Sequence, residues 1–258
     1  NYIESVWWSL KQVADKGLLY KGHKVVPYCP RCGTALSSHE VSQGYKTVTE
    51  KSAFVRFKVK GEDNTWLYAW TTTPWTLPSN VALCVNPDET YARFDFDGRT
   101  VIMAQALIPA VLGEDAVVEN LTPMPGRELV GMEYEPLFDF QKPLVNKPAW
   151  RVVADSYVTM TDGTGIVHQA PAFGEDDARV GRENDLPFLQ LVDTRGRMAK
   201  ETPWAGTFVK DADPLILEDL EKRGLLVKAE EFTHDYPFCW RCDTPLIYYA
   251  RATWFIRM

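Results

Sequence analysis

The sequence has no apolar run approaching the roughly 18–20 residues that a membrane-spanning helix needs. Its first residues, Asn1-Tyr2-Ile3-Glu4, carry no initiator Met, no basic n-region and no h-region, so no targeting peptide is visible. There is no His-x-x-x-His pair, no Ser or Cys in a nucleophile elbow, no G-x-G-x-x-G and no P-loop. These absences argue against an ATP-using active site within these residues. Cysteine is sparse, at five in 258 residues, which excludes a disulfide-dense miniprotein.

The remainder is that of a globular protein, with 45% hydrophobic and 24% charged residues, neither disordered nor collagen-like. The length suits one large domain or two small ones. The net charge of −7 gives no global sign of a protein that coats nucleic acid. The charge is uneven, however: residues 1–60 carry 10 Lys/Arg against 4 Asp/Glu, and the rest carry 18 against 31. A basic head, with Lys11, Lys16, Lys21, Lys24 and Arg31, leaves room for a localised anionic partner, or is simply a solvated face. The chain starts inside a helical pattern and stops inside an apolar run at Ile256-Arg257-Met258, so a piece of a longer polypeptide is expected.

Four of the five cysteines form two pairs, Cys29-Pro30-Arg31-Cys32 and Cys239-Trp240-Arg241-Cys242. A two-residue gap turns both thiolates onto one metal, and two pairs complete a tetrahedral S₄ shell around a structural zinc. The 206 residues between the pairs far exceed the roughly 15–20 of a zinc ribbon. One zinc held by all four would therefore close residues 33–238 into an insertion with a clamped neck. Redox CxxC motifs or disulfides are the alternatives. Neither pair has a thioredoxin-like setting, and an odd fifth cysteine argues against disulfides. Cys84, in Val81-Ala82-Leu83-Cys84-Val85, reads as a small core residue.

Apolar residues at Ile3, Val6, Trp7, Leu10, Val13 and Ala14 predict a helix over 2–16 that stops at Gly17. The period then changes to two, predicting strands at 54–59, 65–70, 91–96 and 99–103, the last two joined by an Asp97-Gly98 turn. Further strands are expected at 151–159, 164–169, 187–192, 206–209 and 246–256, with helices at 104–112, 175–184 and 213–223. The fold class that follows is mainly β with peripheral helices (α+β), a closed or nearly closed β-barrel on a zinc-bound neck. The expected parts are residues 1–45 (N-terminal helix and first half of the neck), 46–228 (barrel) and 229–258 (second half of the neck and a return strand).

Two segments carry candidate chemistry. Trp70-Thr71-Thr72-Thr73-Pro74-Trp75-Thr76-Leu77-Pro78-Ser79-Asn80 combines stiffening prolines with a row of hydroxyls, suited to gripping a polar ligand or else a Thr-rich edge strand and turn. Asp162 to Asp177 brings glycines that admit a close backbone approach, His168 at the end of a short strand, and Glu175-Asp176-Asp177 opening a helix. A carboxylate there can accept an ammonium group, although acidic first turns are ordinary dipole partners and a lone His is commonly structural.

On these residues, together with Tyr2-Ile3-Glu4-Ser5-Val6-Trp7-Trp8, Lys24 to Thr34 and Tyr236 to Cys242, the whole chain resembles the editing insertion (connective peptide 1) of the isoleucyl-tRNA synthetases, class I aminoacyl-tRNA synthetases. Thr72-Thr73-Pro74-Trp75 favours the isoleucyl type, since the valyl and leucyl relatives typically have Arg-Pro after Thr-Thr. The resemblance implies a second sieve that hydrolyses valine from mischarged tRNA(Ile) at its 3′ CCA end. A synthetic site discriminates one methylene by only about 1–3 kcal/mol, a magnitude long established for the isoleucine–valine pair in this very family. It implies that Asp177 binds the α-ammonium, that His168 and Thr73 shape the side-chain cavity, and that Thr71, Thr72 and Asn80 bind the terminal adenosine and position ester and water. Trp70 and Thr76 complete the substrate contacts. It further implies a cytoplasmic, monomeric enzyme working in cis with the rest of a synthetase, with Zn²⁺ at Cys29, Cys32, Cys239 and Cys242. ATP and Mg²⁺ serve only that parent enzyme, whose signature motifs are missing here. A zinc-stapled module that binds the acceptor end without chemistry is the rival.

Overall fold

The computed structural model describes residues 1–258. Helix α1 (Tyr2–Asp15) leads into strand β1 (Leu19–Cys29), the short β2 (Thr34–Ala35), helix α2 (Ser38–Ser42) and the long β3 (Tyr45–Lys58). Next come β4 (Thr65–Thr71), a 3₁₀ turn (Pro74–Ser79), β5 (Ala82–Val85), β6 (Thr90–Phe96), β7 (Arg99–Ala104), α3 (Ile108–Leu112) and β8 (Glu119–Pro125). The chain ends with β9 (Arg151–Ala154), β10 (Ile166–Gln169), α4 (Glu175–Glu183), α5 (Val209–Lys222), β11 (Leu226–Pro237) and β12 (Ile247–Ile256).

Two antiparallel ribbons join residues remote in sequence. Strands β1 and β12 pair from Leu19↔Ile256 to Tyr28↔Ile247, and β3 and β11 pair from Tyr45↔Pro237 to Val55↔Leu226. The second ribbon runs from the neck straight into the barrel wall, because β3 continues to pair with β4 over Ala53–Lys58. Beyond it the mixed sheet continues from β4 to β10, β5 and β9 on one branch and to β7, β6 and β8 on the other. Residues 131–135 bring the curl round. The Lys60 N–H donates to Glu133 O and the Tyr134 N–H to Trp150 O, both at 2.9 Å, so this segment bridges the end of β3 to the start of β9. The curled sheet is thus nearly a barrel, with β8 and β11 left as edges.

The hairpin β6–β7 turns at Asp97 and Gly98, both with positive φ (48° and 69°), which matches the right-handed twist of its strands. One cluster of 43 buried apolar residues takes in barrel residues such as Leu67 and Ile102 and neck residues such as Tyr28 and Tyr249, so neck and barrel form one packed body. Helix α1 buries none of its residues and leaves Tyr2, Ile3, Trp7 and Trp8 exposed. No helix is long and apolar enough to cross a membrane.

Several sequence expectations need correction. The runs 187–192 and 206–209 are not strands and reduce to single bridges, Val192↔Met198 and Arg197↔Phe208. Leu189 and Leu191 of the first run are buried in a small apolar cluster, and Val209 of the second already belongs to α5. The strand expected over 151–159 ends at Ala154, where Asp155 turns the chain by accepting the Tyr157 N–H at 3.0 Å. Helix α5 starts at Val209, four residues earlier than expected, and runs through Pro214.

The neck is tightest at Gly44, whose carbonyl accepts the Phe238 N–H at 2.8 Å and where an added Cβ would lie 2.0 Å from the Phe238 carbonyl oxygen. Gly44→Ala is expected to destabilise the chain by about 1–3 kcal/mol, as overpacking against backbone does. Urea unfolding reads this as a lower midpoint at unchanged slope.

Candidate active site and metal centre

The two cysteine pairs meet where the ribbons begin. Each sits on the same kind of knuckle: the Gly33 N–H donates to Cys29 O at 2.9 Å, and the Asp243 N–H donates to Cys239 O at 2.8 Å. Gly33 and Asp243 both take left-handed backbone (φ 71° and 58°), which turns the chain away immediately after the second thiol of each pair. The four sulfurs lie within 4.8 Å of one another, with separations of 3.5 Å (Cys29–Cys242), 4.0 Å (Cys32–Cys239) and 3.4 Å (Cys32–Cys242). A tetrahedral zinc with bonds of about 2.3 Å needs sulfurs about 3.8 Å apart, so the four fit one closed S₄ shell. Leu36, Val41 and Leu246 pack around them as a small separate core.

The threonine-rich segment leaves the end of β4 and coils into the 3₁₀ turn Pro74–Ser79. Thr71 Oγ1 accepts the Thr73 N–H at 3.1 Å, and Thr76 Oγ1 donates back to Thr73 O at 2.8 Å. The hydroxyls of Thr71, Thr73 and Thr76 lie in a chain at 3.4 and 3.3 Å. Thr71 and Thr76 are buried, whereas Thr72 and Thr73 are half-buried. From the opposite side Asp213 of α5 accepts the Trp75 N–H at 2.7 Å and so caps the turn. Burial pushes the Asp213 carboxyl up to about 7, against the pull of Lys210 and of that N–H.

His168, on β10, places Nε2 2.9 Å from Thr76 Oγ1. Thr76 spends its single proton on Thr73 O, so the bonding pattern assigns the Nε2–H tautomer to His168, with Nδ1 an acceptor. Nδ1 is buried without a partner. Burial lowers the imidazole to about 4, so His168 is neutral near pH 7. Asp177, in the first turn of α4, accepts the Ala170 N–H at 2.9 Å, two residues past His168. Its half-buried carboxyl is pushed up to about 7, mainly by burial and, less, by Asp176.

These elements bring Thr71, Thr73, Thr76 and His168 into one bonded cluster and tether Asp177 at the end of the same strand. Trp70, one residue before Thr71, points to the other face of β4 and stacks edge-on against Phe232 at 5.3 Å. Asn80 is enclosed, with no exposed surface. Its amide donates to Ala82 O (2.9 Å) and accepts from the Tyr134 hydroxyl (2.8 Å), so both ends are spent inside the fold. Gly163 and Gly165 also serve packing: an added Cβ would meet the Trp70 ring at 2.8 Å and Ala104 at 2.5 Å. Gly174 instead leaves room for the Asp177 carboxylate, which folds back over it. Asp213 was not singled out by the sequence reading, since its partner is 138 residues away. Two cavities of about 730 and 760 Å³ lie at the knuckle and beside α1, lined by none of these residues.

A family model described as tRNA synthetases class I (I, L, M and V) matches residues 1–258. The chain belongs to that family. Among these class I synthetases it is similar to the isoleucine–tRNA ligases of Clostridium acetobutylicum (59% identical) and Thermus thermophilus (49%), in each case over the whole chain. It spans about a quarter of the length of these curated relatives, 24% of each. Among solved structures it shares its fold with GlLeuRS-CP1 (TM-score 0.57, 14% identity, 70% of this chain and 100% of that one). It also shares it with the editing domain of the Plasmodium knowlesi cytosolic leucyl-tRNA synthetase (TM-score 0.52, 14% identity, 72% and 97%). The fold shared with these two structures is the curled sheet described above.

Two outcomes follow from this geometry. Metal analysis is expected to find one zinc per chain, falling sharply in Cys239→Ser; undiminished zinc would mean the pairs do not share an ion. Asp213→Asn is expected to gain stability over the unsubstituted chain as pH rises. A carboxyl held near 7 in the folded state and near 3.8 when unfolded costs stability as pH climbs through that window. Urea unfolding at pH 5 and pH 8 should show the gain grow by about 2–3 kcal/mol.

Proposed function

We propose that this chain is the hydrolytic editing domain of an isoleucyl-type synthetase, removing valine from mischarged tRNA(Ile) at the 3′ CCA end. The observation that carries the reading is the hydroxyl chain Thr71–Thr73–Thr76 locked to a neutral, buried His168, with the Asp177 carboxylate fixed beside the same strand end. Similarity to whole isoleucine–tRNA ligases supports the isoleucyl assignment.

In this reading Asp177 pairs with the α-ammonium of the misattached amino acid, a charge-assisted contact. His168, neutral and held at Nε2, bounds the side-chain cavity with Thr73, admitting valine and excluding isoleucine. Thr72, the hydroxyl of the row without a protein partner, contacts the terminal adenosine, and Trp70, packed on the other face of β4, backs the strand. Thr71, Thr76 and Asn80 act behind them, holding the turn in shape. A water oxygen attacks the ester carbonyl, the bond to the ribose oxygen breaks, and a water proton ends on that oxygen, leaving free valine and an intact tRNA 3′ end. Catalysis is positioning and hydrogen-bond stabilisation of the tetrahedral oxyanion, with no covalent enzyme intermediate. Four thiolates would leave a bound zinc no open position, so its part is structural. The unburied apolar side of α1, with Trp7, Trp8 and Trp254 around the cavity of about 760 Å³, docks against the remainder of a monomeric cytoplasmic synthetase. ATP-dependent ligation belongs to that remainder.

The chain is expected to deacylate valyl-tRNA(Ile) faster than isoleucyl-tRNA(Ile); equal slow loss of both overturns the reading in favour of a non-catalytic module. Because Asp177 must be ionised to hold an ammonium, the enzyme-dependent rate should rise as pH passes upward through about 7. Asp177→Asn should abolish that rise and most of the activity with no fall in the urea midpoint at pH 8, since removing a carboxyl that burial holds near 7 relieves a cost there.

A further inference from the structure

Beside the first knuckle lies the cavity of about 730 Å³, lined by Arg31, Arg195, Arg197 and Arg251 and by no Asp or Glu. The four guanidiniums come from three separate stretches. Arg31 lies between Cys29 and Cys32, Arg195 and Arg197 lie on a tight turn, and Arg251 lies on β12. None has a carboxylate within 4.0 Å; Arg56, Arg151, Arg182 and Arg257 are also unpaired, but Arg31, Arg195, Arg197 and Arg251 share one hollow. On a chain of net charge −7, four unpaired guanidiniums around one hollow repel one another and need a reason to converge.

The hollow is built, not fortuitous. Asp193 Oδ1 accepts the N–H groups of both Arg195 (2.8 Å) and Arg197 (2.9 Å), which fixes the turn's backbone. Gly196, at φ 68°, presses that turn against the knuckle, where an added Cβ would lie 3.0 Å from Pro30 and 2.9 Å from Phe208. The Tyr28 hydroxyl donates to Thr194 O at 2.9 Å, and the Arg251 guanidinium lies over the Tyr28 ring at 5.1 Å. Arg197 donates to Gly206 O at 2.6 Å, which fixes its plane. Guanidiniums are planar forks that match phosphate oxygens, and two of the four, those of Arg197 and Arg251, are held in place by these contacts.

We propose that this cavity binds the phosphodiester backbone of the tRNA acceptor arm, upstream of the nucleotide that enters the hydrolytic site. The proposal rests on the reading of a tRNA as substrate. It assigns the anchoring of the strand to the knuckle side of the molecule, and it gives the cysteine clamp a second task, holding Arg31 in the cavity wall.

The test uses the full chain and an acceptor-stem RNA minihelix ending in CCA, with affinity followed by fluorescence anisotropy across a range of KCl. Arg31 and Arg195 make no side-chain hydrogen bond or ion pair, so Arg31→Gln with Arg195→Gln is expected to leave the thermal melt unchanged. The double variant should bind more weakly, with a salt slope shallower by about 1 for each arginine removed. Lys142→Gln with Lys222→Gln, an equal loss of charge elsewhere, should keep the original slope. An unaltered slope and affinity in the arginine variant overturns the proposal. So does displacement of the minihelix by inorganic phosphate at matched ionic strength, which would mark a free-phosphate site. Under single turnover, the arginine variant should need more chain to reach half the maximal deacylation rate, with that maximum unchanged. If the unsubstituted chain deacylates nothing, the hydrolytic reading fails while the salt slope still decides the cavity.

Discussion

The structure depends on the pairing of strands that lie at opposite ends of the sequence. β1 meets β12 and β3 meets β11 across separations of roughly 170 to 240 residues, so each ladder bond is formed against a large loop-closure cost. Four thiolates gathered within 4.8 Å sit where these ribbons meet, so a metal bound there would act on the weakest point of the topology, the register of distant chain segments. Everything downstream inherits that register. β3 carries it into the barrel wall, β4 takes it from β3, and the threonine-rich turn is the continuation of β4.

Around the turn, the supporting groups are polar and enclosed. Gln141 donates to the carbonyls of Leu77 (3.2 Å) and Pro78 (2.7 Å), Tyr134 to Asn80, and Asp213 accepts from Trp75. A 3₁₀ turn with two prolines has few backbone bonds of its own, and these side chains supply the missing partners. Buried polar groups satisfied in this way fix one conformation, since any slip leaves a donor or acceptor unpaired at a cost of about 1–3 kcal/mol. The same enclosure explains the perturbed ionisations. Removing water favours the neutral form of His168 and opposes the charges of Asp177 and Asp213.

Local pattern carried much of this into the sequence. The helical stripe of α1, the Asp97-Gly98 hairpin and the cysteine pairs with their 206-residue gap were legible because each depends on neighbours a few residues away or on a fixed spacing. β1 was not, since Gly22 and Pro27 read as breakers. Gly22 is there because an added Cβ would lie 3.0 Å from the Phe255 ring, a contact 233 residues distant. β11 was missed because Glu230, Glu231, His234 and Asp235 look like a solvated tract, and its ribbon partner lies near residue 50. At the candidate site, residue types pointed to two segments that the fold brings together, but not to the direction each side chain takes. Asn80 turned inward, Thr72 stayed free, and Asp213 entered only through a tertiary contact.

The pairing of Leu19 with Ile256 has one more consequence. Paired strands run about 4.8 Å apart, so everything between these two residues rises from a base no wider than a hairpin. A host polypeptide that carries the unit between two of its own strands need not stretch or reorganise to accommodate it. A unit closed in this way would be, for such a host, a long detour with a negligible footprint. Such a module can be gained, lost or exchanged between hosts while the framework on either side keeps its geometry.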